Sequence, residues 1–121
     1  KLARILIIDD DVSVRIALRI LLQKAGHETV EALNGKEGLR VFNQNPTDLI
    51  ITDILMPERD GVETLLEIRA HHPDVKVMAI SGNAAEFLPI LEDLGAQHTM
   101  TKPFNADEVL EAVQKLLGEE S

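Results

Sequence analysis

Five side chains in this sequence have types and positions suited to phosphoryl chemistry: Asp9, Asp10, Asp53, Ser81 and Lys102. Clustered carboxylates repel one another unless a cation neutralises them, and hard oxygen donors suit magnesium, with manganese as the alternative ion. Beside such an ion one carboxylate oxygen can attack phosphorus, because an aspartyl phosphate is an accessible covalent intermediate. Asp53 is the candidate nucleophile. It precedes the loop "ILMPERDG", which is expected to leave it accessible, while Asp9 and Asp10 remain as metal ligands. A lysine ammonium pairs with phosphoryl oxygens and a serine hydroxyl donates to one, which assigns Lys102 and Ser81.

These residues are scattered along the chain, so the fold must gather them. Apolar runs of strand length alternate with segments of helical period, in a βα pattern repeated five times. The strands are expected over Ala3 to Ile8, Glu28 to Ala32, Leu49 to Thr52, Val75 to Ile80 and His98 to Thr101. "ILII", "LII" and "VMAI" lack polar alternation, as in parallel strands covered by helices on both faces. The first helix is expected from Ser13 to Ala25, with Val14, Leu18, Leu21 and Leu22 on one stripe and a stop at Gly26. Asn34 caps a second helix running through Asn43, and a third runs from Gly61 to His71 before Pro73. A fourth begins near Phe87 with Pro89 in its first turn. Asn105 and Glu108 form a capping-box start for the last helix. Right-handed βα crossovers make an open, doubly wound α/β sheet the economical topology, and ligands bind such sheets outside the carboxyl ends of the strands. Asp9, Asp10, Asp53, Ser81 and Lys102 all fall at such ends.

Composition narrows the setting. At 121 residues and 45% hydrophobic, the chain is expected to form one domain over 1–121, and the start at Lys1 rather than Met allows for excision from a longer protein. There is no Cys, which excludes a thiolate metal site. A net charge of −9 argues against direct binding to nucleic acid or an anionic membrane. No apolar run of about 18 residues is present, nor a secretory signal pattern, so no membrane insertion and a cytoplasmic location are expected.

"ILIIDDD", "LIITDILMPERDG", "MAISG" and "TKPF", in this order, resemble the receiver domains of two-component response regulators over nearly the whole chain. The resemblance implies a flavodoxin-like (βα)5 fold with strand order 2-1-3-4-5. It implies that Asp10, Asp53 and the main-chain carbonyl of Leu55 bind Mg2+, with Asp9 acting largely through water. It further implies a histidine kinase or histidine phosphotransfer domain as phosphoryl donor, a cis bond between Lys102 and Pro103, and chemistry confined to the domain's own phosphorylation and dephosphorylation. The helix 4, strand 5, helix 5 face is the implied surface for a homodimer or an output domain. One departure stands out: receivers often carry an aromatic residue three positions before the active-site Lys, and here that position is Thr99. Thr99 has little bulk to fill a vacated pocket, so an altered switch is expected. Leu55 and Asn83 offer no acid or base to activate water, which predicts a long-lived phosphoaspartate.

Other readings compete for the same residues. Asp11 fits a helix cap, Asp60 with Gly61 fits a turn and helix start, and the four His residues lack metal-ligand spacing and read as surface or terminus residues. "DDDVS" also resembles the opening of haloacid-dehalogenase-type phosphatases, with Asp9 as nucleophile and Asp11 as acid/base; that leaves Asp53 and "TKPF" unexplained. A receiver-like interaction module that is never phosphorylated is a third class, opposed by the intact acidic set.

Overall fold

In the computed structural model, residues 2–54, 60–82 and 88–118 are described. Alternating strands and helices run β1 (Arg4–Ile8), α1 (Val12–Lys24), β2 (Glu28–Ala32), α2 (Gly35–Gln44), β3 (Leu49–Asp53), α3 (Asp60–His71), β4 (Lys76–Ser81), α4 (Leu88–Asp93), β5 (His98–Thr101) and α5 (Ala106–Leu116). The five strands pair in parallel in the order β2-β1-β3-β4-β5, which is the expected flavodoxin-like arrangement.

Alternation along the strands divides the core between the two faces of the sheet. Ile5 and Ile7 of β1, Leu49 and Ile51 of β3, and Met78 and Ile80 of β4 pack with Leu18 and Leu22 of α1 and Val109 and Val113 of α5. Their neighbours Leu6, Ile8, Ile50, Val77 and Ala79 pack instead with Phe42 of α2, Leu65 and Ile68 of α3 and Leu91 of α4. Continuous apolar runs thus serve two cores at once, which is why the central strands show no polar alternation.

The helix signals act where the sequence places them. Asp11 is the N-cap of α1, its Oδ1 accepting from the Ser13 amide at 2.9 Å, so α1 opens at Val12, one residue before the expected start. Gly26, at φ 98°, ends α1: its amide donates to the Gln23 carbonyl and that of His27 to the Leu22 carbonyl, a paired closure that needs the left-handed conformation. Asn34 caps α2, and Asn105 with Glu108 forms the reciprocal capping box of α5. In α4, described from Leu88, Pro89 stands in the first turn, as expected; Phe87 lies outside the described residues. The reading of the histidines needs correction. His71 is exposed, but His27, His72 and His98 are half-buried. The His27 Nδ1 accepts from the Ala3 amide, and the His72 ring meets Phe42 edge-on while its Nε2 contacts Asn43 Oδ1.

Arg69 closes the opposite end of the sheet from the five candidate residues. Its guanidinium donates to the carbonyls of Gly95, Pro73 and Val75 and to Gln97 Oε1, joining the end of α3 to the turns that enter β4 and β5. Among the described residues, no helix is long and apolar enough to cross a membrane.

Candidate functional site

Each candidate side chain is carried to one edge of the sheet by the end of a strand. Asp9 and Asp10 follow β1, Asp53 closes β3, Ser81 closes β4, and Lys102 follows β5. Parallel register fixes their relative heights: Thr52 pairs with Ala79 and Asp53 with Ile80, while Ser81 pairs with Thr101. The Lys102 amide then donates to the Ser81 carbonyl at 2.8 Å, extending the ladder to the site. The peptide bond from Lys102 to Pro103 is cis, as the resemblance implies.

One carboxylate oxygen from each of Asp9, Asp10 and Asp53 lies within 4.8 Å of the others. Ligand oxygens around an octahedral Mg2+ stand roughly 3–4 Å apart, so the three residues need only small adjustments to share one ion. Their environments differ. Asp10 is exposed, whereas Asp9 and Asp53 are 1% and 5% exposed. The expected accessibility of Asp53 is therefore corrected: the final strand position draws the carboxylate into the sheet edge, between β1 and β4. Burying two carboxylates side by side demands a counter-charge. Lys102 supplies it, its Nζ lying 3.2 Å from Asp9 Oδ2 and 3.2 Å from Asp53 Oδ2. Partial burial pulls the ammonium's pKa down, but the charges of Asp53 and Asp9 outweigh that effect and hold it above the ordinary lysine value. Lys102 is a cation throughout the neutral range.

Ser81 is buried at the end of β4, and Thr99, half-buried, pairs with Ala79 in β5. The expectation for the Leu55 carbonyl, and that for Leu55 and Asn83 around the phosphoryl group, fall outside the described residues. The acid/base role of Asp11 that a haloacid-dehalogenase reading needs is not supported: Asp11 Oδ1 is engaged by both the amide and the hydroxyl of Ser13, and these bonds hold its pKa below the usual carboxylate value.

One contact near the site escaped the sequence reading. The Arg15 guanidinium reaches the Asp9 main-chain carbonyl at 2.6 Å and is itself held by Glu31 of β2 at 3.1 Å. Opposite charges on neighbouring elements were the only advance signal.

The pattern of the response regulator receiver domain family matches residues 5–114. The chain belongs to that family. Among curated relatives, this receiver domain is 37% identical over 117 residues to the chemotaxis protein CheY of Bacillus subtilis, covering 95% of its own length and 98% of the relative. It is 31% identical to sporulation initiation phosphotransferase F of the same organism, with 94% and 93% covered. The response regulator protein TrrA of Thermotoga maritima, solved in complex with Mg2+ and BeF, superimposes on the receiver with a TM-score of 0.85 at 38% identity, covering 94% of this chain and 98% of that one. A receiver domain is a signalling module rather than an enzyme that turns over a free substrate, and the acidic cluster fits a phospho-accepting one.

Proposed function

We propose that Asp53 accepts the phosphoryl group and that residues 1–121 act as one receiver unit of a two-component relay. The observation that carries this reading is the single ammonium of Lys102 placed at equal distance from Asp9 and Asp53. A buried carboxylate held beside a fixed cation is a nucleophile whose attack places new negative charge where positive charge already stands. In the reaction, an Asp53 oxygen forms a bond to phosphorus as the donor's N–P bond breaks. The imidazole of a histidine kinase or histidine phosphotransfer domain leaves with the bonding electron pair and takes up a proton. Lys102 pairs with a phosphoryl oxygen, and the Ser81 hydroxyl donates to another. Asp9, Asp10, Asp53 and the Leu55 carbonyl would hold Mg2+, or Mn2+ in its place. Bound there, the ion would neutralise charge on the phosphoryl oxygens. The domain's own chemistry extends to loss of the phosphoryl group to water, which is slow if Leu55 and Asn83 flank it.

Phosphorylation biases a two-state equilibrium that Ser81, Thr99 and Lys102 connect to the α4, β5 and α5 surface, where a second copy or an output domain docks. Phosphohistidine donors are made from ATP, so the reading carries a cytoplasmic location. Intact-mass measurement after treatment with acetyl phosphate or beryllofluoride and Mg2+ tests the assignment: the wild type gains one adduct and Asp53→Ala gains none. Equal labelling of the two proteins overturns it.

A further inference from the structure

Asp9 is held at every polar atom it has. Its amide donates to the Ala32 carbonyl at 3.2 Å, its Oδ1 accepts from the Asp11 amide at 2.9 Å, its Oδ2 faces Lys102 at 3.2 Å, and its carbonyl accepts from Arg15 at 2.6 Å. One of these contacts comes from the end of β2, one from the turn itself and one from the site. The fourth comes from the second turn of α1 and has no part in the chemistry proposed above. Arg15 is oriented in turn by β2: its Nε lies 3.1 Å from Glu31 Oε1, and Arg19 holds the other oxygen of the same carboxylate at 2.8 Å. The Arg15 side chain is 11% exposed, so this is not a solvated surface pair.

We infer that Arg15, oriented by Glu31, is a positioning residue for the metal site, fixing the main chain of Asp9 so that the Asp9 and Asp10 carboxylates face Asp53. A planar guanidinium can do this because Nε and Nη1 point in different directions from one rigid group, one to Glu31 and one to the carbonyl. A lysine in the same place has a single nitrogen and cannot span both partners. Groups that orient metal ligands without touching the ion typically change affinity by about 10–100-fold when removed. The inference rests on the proposed metal-dependent reading of the site.

Charge and position make opposite predictions here. Arg15 is a cation beside an acidic cluster, so deleting it should tighten dication binding by Coulomb attraction alone. If its role is to fix the turn, deleting it should weaken binding. Calorimetric titration with Mg2+ separates the two. Arg15→Ala is expected to bind Mg2+ about tenfold more weakly than the wild type, with Arg15→Lys similarly weakened although the charge is kept. Arg19→Ala removes the outer ion pair without touching Asp9, and is expected to lose thermal stability while keeping Mg2+ affinity within about twofold. Should Arg15→Ala fail to fold, Arg15→Lys gives the same comparison, and far-UV circular dichroism before titration identifies the usable variant. Tighter or unchanged Mg2+ binding by a folded Arg15 variant overturns the inference while the wild-type titration leaves the metal reading standing. Absence of Mg2+ binding by the wild type overturns both.

Discussion

Half-buried at the start of β5, His98 illustrates how one residue can report on its surroundings. Burial lowers its pKa first, the Lys115 ammonium on α5 adds to that, and Glu92 on α4 opposes both. The folded chain therefore binds this proton less readily than the unfolded chain, whose histidine titrates near the ordinary value of about 6.5. Stability from this residue is fully present above that value and is lost as pH falls through the lower folded pKa. His98→Gln is expected to flatten the fall in melting temperature between about pH 7.5 and 5.5, measured by thermal scans at fixed ionic strength. A parallel fall in the two proteins would remove His98 as the cause. Lys102 follows the opposite balance, since the acids around it are closer and more numerous than the apolar surface is deep. That difference was partly legible. Asp9, Asp10, Asp53, Ser81 and Lys102 could be picked out because each sits where a strand ends, and a strand end has a known place in an open sheet. The burial of Asp53, and the contact from Arg15, could not. Both depend on how side chains of different elements meet, and spacing along the chain carries no information about that.

At the scale of elements, the sequence was most legible where local chemistry decides the outcome. Asn34, Asn105 with Glu108, and Gly26 set helix ends within a residue or two of the expected positions, because caps satisfy groups of their own segment. The packing of α2 against α3 was not legible. Gly35, in the first turn of α2, lies so close to α3 that an added Cβ would stand 1.6 Å from Thr64 Oγ1. Nothing in its sequence context separates this glycine from an ordinary helix-start residue. Gly35→Ala is expected to destabilise the fold by roughly 1–3 kcal/mol, as overpacking does. Thr64→Ala in the same chain removes the colliding hydroxyl but not the Cβ at 2.9 Å, so the double variant should recover part of that loss in urea denaturation. Strict additivity of the two substitutions would show that the helices do not meet there.

Across the whole molecule, the feature with the widest reach is the division of apolar side chains between the two faces of the sheet. The two sets share no residue, although both draw on β1, β3 and β4. Leu18 of α1 and Ile68 of α3 are both almost fully buried, on opposite sides. Leu18→Ala should cost about 2–5 kcal/mol and Ile68→Val about 0.5–1.5 kcal/mol. With a layer of backbone between them, the double variant should cost their sum to within about 0.5 kcal/mol in equilibrium denaturation. A coupling well above that would mean that a cavity on one side is felt on the other. If the sum holds, the sheet works as a partition: α1 and α5 can drift in sequence on one side, and α2, α3 and α4 on the other, each under its own packing constraints. The rim where both compartments end, at Asp9, Asp53 and Ser81, is then where a change in one history must be reconciled with the other.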